Sequence, residues 1–305
     1  MRVGFAGLGL MGRAMAENLC RAGLDVMVHN RSPLACDPLR DFGAKVATSA
    51  DDLFDQCQAV ILMLADDHAV DAVLGRDMAA FRSRVCGRLI VNMGTHSPAF
   101  SEALEEDILK AGGRFVEAPV SGSSDMAREG RLVAMLAGQP ASVALARPII
   151  APMCGEVIEI GPVPSAMRMK LAVNLYLVAS VTALAEATHF AAASGLDLRQ
   201  FERIVAAGPL GSAVVSAKLE KMIRRDFSAQ AAVRDVVKNA QLIAAAVDQA
   251  AAQAPLLHES LVRFTDVRDG GCAAEDMAAV LKSYEGSPGG KPMRPRPPYA
   301  QGSAT

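Results

Sequence analysis

Residues 3–12 read VGFAGLGLMG: a four-residue apolar run, then glycines at 7, 9 and 12, then a stretch with helical spacing from Met11 to Ala22. Three glycines in the order G-x-G-x-x-G arise by chance in many chains. They become informative when they leave a strand and open a helix, as here. The first glycine permits a tight turn, the second lets a pyrophosphate approach the backbone, and the third allows close helix–strand packing. The N–H groups of the first helical turn then face the phosphates. Gly7, Leu8, Gly9, Leu10, Met11 and Gly12 are therefore candidate dinucleotide-binding residues.

Outward from this loop the first half of the chain keeps alternating. Strands are predicted at Val3–Ala6, Asp25–His29, Ala59–Leu64, Arg88–Met93 and Arg114–Glu117, with helices at Met11–Ala22, His68–Leu74 and Pro98–Ala111. That alternation implies βαβ units and a mostly parallel sheet. Two more strands, Leu132–Ala137 and Glu156–Ile160, flank a helix near Ala141–Met153. The pattern changes after residue 163. Ser165–Ser194 has no proline or glycine and is rich in Ala, Leu, Met and Val, which predicts one long helix packed on several sides. Further helices are expected at Asp197–Ala206, Ser212–Arg224, Ala231–Ala251, Pro255–Asp269 and Glu275–Tyr284. The division is a dinucleotide-binding α/β domain over 1–163, an all-α domain over 164–285, and a Pro/Gly-rich tail over 286–305. The tail's composition predicts an extended or disordered segment.

With 305 residues, 51% of them hydrophobic, the chain can bury a large core in more than one domain. A net charge of -2, no tryptophan and three tyrosines argue against nucleic-acid binding, which needs a concentrated basic patch and stacking rings. The cysteines at 20, 36, 57, 86, 154 and 272 form no CxxC pair and have no histidine cluster beside them, so a reducing compartment is expected and a metal site is not. MRVGFA is too short an apolar start for a signal peptide, and no stretch reaches roughly 18 uninterrupted apolar residues. A cytosolic protein with no membrane span is expected.

Cofactor choice is read at the end of the second strand. NAD-binding chains usually place Asp or Glu about 20 residues beyond the glycines, to hold the ribose 2′-hydroxyl. Here stand Asn30, Arg31 and Ser32. A neutral amide does not repel a 2′-phosphate and an arginine pairs with it, so NADP is favoured, with NAD as the alternative.

The chain at this point resembles the β-hydroxyacid dehydrogenases, the group of 3-hydroxyisobutyrate and 6-phosphogluconate dehydrogenase-like enzymes, over residues 1 to about 285. GLGLMGRAMAENLCRAG with HNRS resembles the family's cofactor signature, and AGGRFVEAPVSGSSDMAREGRLVAMLAG (111–138) its substrate-binding segment. Gly161–Asn174, containing Lys170-x-x-x-Asn174, is similar to its catalytic segment; Asp226–Leu242 and Asp276–Val280 are similar to its C-terminal elements. Within the family the chain looks nearest the glyoxylate and succinic semialdehyde reductases. The resemblance implies a Rossmann-type N-terminal domain, a helical C-terminal domain joined by a long interdomain helix, and homodimers or homotetramers formed through the helical half. It also implies hydride transfer between a nicotinamide and a small hydroxy acid or aldehyde acid.

Lys170 and Asn174, spaced i, i+4, share one helix face. Hydride arriving at a carbonyl carbon puts negative charge on the oxygen, which an ammonium stabilises and then protonates. Loss of hydration on an apolar helix lowers the lysine's pKa towards a useful range. Asn174 would orient the lysine or the substrate oxygen. Ser121-Gly122-Ser123 offers hydroxyls and backbone N–H groups to a substrate carboxylate, its role in the family. The resemblance further places Thr95 near nicotinamide and substrate, Leu64 and Asp66 on a cofactor loop, and Lys238 at cofactor or substrate. Several positions depart from the family: Asn239 for an Asp, Ala231 for a bulky aromatic, Ser123 for a glycine, Gly94 for a serine and Pro164 for a glycine. Ala231 and Asn239 predict a substrate bulkier than glyoxylate. A non-catalytic NADP-binding module and an imine reductase-like enzyme are the other readings; Lys170 argues against both.

Overall fold

The computed structural model describes residues 1–286. Their contacts divide them into two units: Met1–Tyr176 with Asn239–Ala254, and Leu177–Lys238 with the segment from Pro255 onward. The sequence division at 163/164 follows the change from alternating pattern to helices, whereas the contact division falls inside the long helix and returns Asn239–Ala254 to the first unit. The predicted tail lies, beyond Gly286, outside the described residues.

The first unit is built on a nine-stranded sheet. Its strands are β1 (Val3–Ala6), β2 (Val26–His29), β3 (Lys45–Val46), β4 (Ala59–Leu62), β5 (Leu89–Asn92), β6 (Arg114–Glu117), β7 (Val120–Ser121), β8 (Leu132–Gly138) and β9 (Cys154–Gly161). The order is β3-β2-β1-β4-β5-β6-β8-β7, with β9 on β8. β1 to β6 run parallel, and β8 is antiparallel to β6 and β7. A parallel sheet is covered on both faces, which is why its central strands read as unbroken apolar runs. Phe5, Ile61, Val91 and Val116 bury on one face, and Val60, Leu62, Ile90 and Phe115 on the other. The two-residue strands β3 and β7 were not legible, being shorter than any periodicity.

The register aligns Ala6 with His29 and Leu62, Leu62 with Asn92, and Asn92 with Glu117. The loops after five strands therefore leave the sheet from one row. Strand order reverses at β1 and β4, so the glycine loop occupies the switch point at which such sheets bind ligands.

The helix Ser165–Ala193 forms as predicted, but its packing does not. A stripe through Ala166, Met167, Lys170, Leu171, Asn174, Val178, Val181, Ala185 and Thr188 is buried, while Met169, Tyr176 and Phe190 stay exposed. A helix that buries residues three and four apart spends one face only. By length and composition this helix could cross a membrane, and its buried stripe is that of a core helix. The second unit is otherwise helical around Val178, Leu219, Val233, Val237, Phe264, Met277 and Leu281. The helix expected over Glu275–Tyr284 is instead a 3-10 turn, Met277–Leu281, followed by a short helix, Lys282–Glu285.

Candidate active site

The three glycines have three different reasons. Gly7 has φ +100°, and a Cβ on it would stand 2.2 Å from the Met63 carbonyl oxygen. A Cβ on Gly12 would stand 2.0 Å from the Gly7 carbonyl oxygen, so the helix Leu10–Arg21 lies directly on the loop. Gly9 meets nothing within 4 Å at its Cβ position. It is the N-cap of that helix, with no side chain bonding the first N–H groups and no acid in the first turn. This open, uncapped helix start fits a pyrophosphate.

Asn30 turns out to be the loop's tether. Its Oδ1 accepts the Leu8 N–H at 2.9 Å and its Nδ2 donates to the Ser32 carbonyl at 3.1 Å. Arg31 is exposed and makes no hydrogen bond or ion pair among the described residues, and Ser32 is exposed beside it. A cation beside an amide, with no carboxylate at 30–32, fits the 2′-phosphate of NADP. After β4, Leu64 is half-buried and Asp66 caps the helix Asp67–Leu74 by accepting the Ala69 N–H at 2.8 Å.

After β5 comes a feature that the sequence reading missed. Thr95 is half-buried, and the next residue, His96, is fully buried with Nδ1 2.6 Å from Asp67 Oδ1. Its Nε2 has no partner, and the same holds for Nδ2 of buried Asn92. A Cβ on Gly94 would stand 2.5 Å from His96 Nε2 and 2.7 Å from the Leu64 carbonyl oxygen. Gly94, read from sequence only as a departure, is glycine because the imidazole occupies its side-chain space. The signal was in the pair 94 and 96, not in either alone.

Lys170 and Asn174 lie on the buried stripe of the long helix, each 8% exposed, and neither side chain makes a hydrogen bond or ion pair among the described residues. Burial pushes the Lys170 ammonium down to about 8. The helix start is held by Glu117, at the end of β6, whose Oε1 accepts the N–H groups of Ala166 at 2.9 Å and Met167 at 3.1 Å. Met167 Sδ in turn accepts the His96 N–H at 3.4 Å. Loop and strand thus grip the first turn of the lysine helix from two sides.

Ser121 ends β7, Gly122 has φ +142°, and Ser123 caps the short helix Ser124–Arg128 by accepting the Met126 N–H at 3.3 Å. Asn18 Nδ2 donates to the Ala127 carbonyl at 2.6 Å, tying this segment to the helix that opens at Gly9. Gly7–Gly12, Asn30–Ser32, Leu64, Asp66, Thr95, Ser121–Ser123, Lys170, Asn174 and Asn239 all belong to the first unit. Ala231 and Lys238 belong to the second, both half-buried. There Asp276 fixes the segment containing Ala231, accepting the N–H groups of Gln230 and Ala231 at 2.9 and 3.1 Å and pairing with Lys218 Nζ at 2.9 Å.

Residues 2–161 match the family model of the NAD binding domain of 6-phosphogluconate dehydrogenase. Residues 165–284 match the model described as NAD-binding of NADP-dependent 3-hydroxyisobutyrate dehydrogenase. The chain is 31% identical to glyoxylate/succinic semialdehyde reductase 1 of Arabidopsis thaliana, over 93% of this chain and 99% of that protein. It is 30% identical to the chloroplastic glyoxylate/succinic semialdehyde reductase 2 of the same plant, over 93% and 79%. Among solved structures, a 3-hydroxyisobutyrate dehydrogenase from Salmonella typhimurium superposes with a TM-score of 0.85 at 27% identity, over 92% of this chain and 99% of that one.

Proposed function

We infer the reaction from one premise: the chain belongs to the β-hydroxyacid dehydrogenase family. It is an NAD(P)-dependent oxidoreductase, with NADP as cofactor and NAD an admissible one. We propose that it reduces a small carbonyl acid, with Lys170 as the proton donor. A bound nicotinamide would supply the hydride. Lys170 then stabilises the charge that develops on the substrate oxygen and delivers its proton there; in the reverse direction the neutral amine takes that proton back. The single observation that carries the reading is a buried lysine without a hydrogen-bond or salt-bridge partner among the described residues, its pKa pushed down to about 8. Near neutral pH such a group is charged yet gives up its proton readily. Asn174, one turn on, orients it, and Ser121-Gly122-Ser123 would hold the substrate carboxylate.

Gly7–Gly12 would hold the pyrophosphate, Asn30, Arg31 and Ser32 the 2′-phosphate end, and Leu64, Asp66, Thr95 and Lys238 the remainder of the dinucleotide. The small side chain of Ala231 and the neutral Asn239 support a substrate bulkier than glyoxylate. Exposed Phe190, Leu196, Ile204 and Leu210 on the second unit support a homodimer or homotetramer. Six free cysteines, Cys86 exposed among them, support a reducing, cytosolic setting.

The test follows NADPH absorbance over a panel of aldehyde and keto acids, with Lys170→Ala beside the parent. Turnover that falls by about 100-fold or more in the variant is expected. Equal turnover in the two would remove Lys170 from the mechanism. Glyoxylate as the best member of the panel would overturn the larger pocket.

A further inference from the structure

The helix that carries Lys170 starts without a capping side chain of its own. Pro164 stands before it, and the Ser165 hydroxyl is turned back to donate to the Pro162 carbonyl. Its second and third N–H groups are met instead by a carboxylate 49 and 50 residues away in sequence, Glu117. Glu117 is fully buried, so it is an expensive cap: a serine or asparagine would satisfy the same donors without placing an acid in the core. Only Oε1 is used, and Oε2 has no partner. Four residues further along the chain, at the end of β7, Ser121 begins the segment proposed to hold the substrate carboxylate. The acid is thus close in the chain to the substrate's proposed anchor and hydrogen-bonded to the helix that carries the proton donor.

We propose that Glu117 is a positioning residue for Lys170, fixing the first turn of its helix against the end of β6. The proposal rests on Lys170 acting as the proton donor. The titratable neighbour facing Glu117 from the helix Pro98–Lys110 is Glu105, with the Ser101 hydroxyl beside it; Lys170 itself lies one turn further along the capped helix. Burial, assisted by Glu105, pushes the Glu117 carboxyl up to about 7, against the opposing pull of Ser101 and the two helix N–H groups.

The experiment compares Glu117→Gln, which keeps the acceptor and removes the charge, with Glu117→Ala, which removes both. In Glu117→Ala the amides of Ala166 and Met167 are expected to exchange about 10-fold faster or more, and kcat to fall about 10- to 100-fold with the KM for NADPH unchanged. Glu117→Gln is expected to retain slow exchange and most of kcat, because its amide oxygen still accepts both N–H groups. A Glu117→Gln enzyme that keeps slow exchange yet loses kcat by about 10-fold or more overturns the proposal, and it does so even where Glu117→Ala fails to fold. A fully active Lys170→Ala control overturns the mechanistic reading instead, and amide exchange still reports the cap.

Discussion

Two fully buried carboxylates in this chain meet opposite fates. Asp276, in the second unit, is surrounded: Lys218 Nζ at 2.9 and 3.0 Å, and the N–H groups of Gln230, Ala231 and Ala278. Burial alone would raise its pKa, but Lys218 and those N–H groups win and hold it below the usual carboxylate range. Glu117, in the first unit, has two N–H groups on one oxygen, none on the other, and no cation, so burial wins and pushes it up to about 7. Equal burial therefore does not determine ionisation; the donor count and a counter-ion do. The difference is also one of place. Orphaned polar atoms of His29, Asn92 and Glu117 sit on the row of strand ends from which the site's loops leave, and His96 Nε2 lies on one of those loops. A completed network holds a segment in place; an incomplete one leaves groups poised for chemistry.

The sharpest way to break the comparison is to remove Asp276. Asp276→Ala leaves the Lys218 ammonium buried without a counter-ion, with Gln230 Oε1 at 3.3 Å still accepting from it, and frees three N–H groups, so urea denaturation is expected to show a loss of about 3–5 kcal/mol. A loss below about 1 kcal/mol would mean that the network does not hold the second unit together.

Next in size are two pH windows of opposite sign. The folded Glu117 pKa is raised from 4.5 to about 7, so its contribution is complete below 4.5 and is lost as pH rises to about 7. The folded Lys170 pKa is lowered from 10.5 to about 8, so its contribution is complete above 10.5 and is lost as pH falls to about 8. Each window is worth at most about 3 kcal/mol. Both groups therefore cost most stability between about pH 7 and 8. Stability curves should flatten over the acid window in Glu117→Gln and over the alkaline window in Lys170→Met. A Glu117→Gln curve parallel to the parent's below pH 7 would place Glu117 in the same class as Asp276.

The glycine loop was legible because a steric requirement at positions 7 and 12 admits only one residue type, and because strand and helix patterns flank it. Lys170 was a candidate in the sequence through its i, i+4 partner and the segment around it. Glu117 was not, since its partners stand about fifty residues away and nothing local marks an acid at a strand end as a helix cap. The exposed face of the long helix was misread for a related reason: Ala, Val and Met look alike whether they pack or not. His96 hid behind Gly94 in the same way. Gly94→Ser drives a side chain into the imidazole and should cost about 1–3 kcal/mol in denaturation. In the double variant with His96→Val the cost should fall by about 0.5 kcal/mol or more below the sum of the singles. Strict additivity would separate the two positions.

The smallest expected effect concerns Asn30, a polar side chain on that edge whose acceptor and donor are both used. Asn30 accepts the Leu8 N–H and donates to the Ser32 carbonyl, so it resembles Asp276 in completeness while sharing Glu117's edge. Asn30→Asp keeps the acceptor for Leu8 and loses only the bond to Ser32, so stability should change by about 1 kcal/mol. The new charge, however, stands beside Arg31, where the 2′-phosphate would bind. Repulsion there should raise the KM for NADPH about 10-fold relative to that for NADH, equivalent to about 1.4 kcal/mol. A variant that unfolds without changing cofactor preference would make Asn30 a purely structural tether. A changed preference at nearly constant stability would show that a completed network, too, can carry specificity when it lies on the row of strand ends.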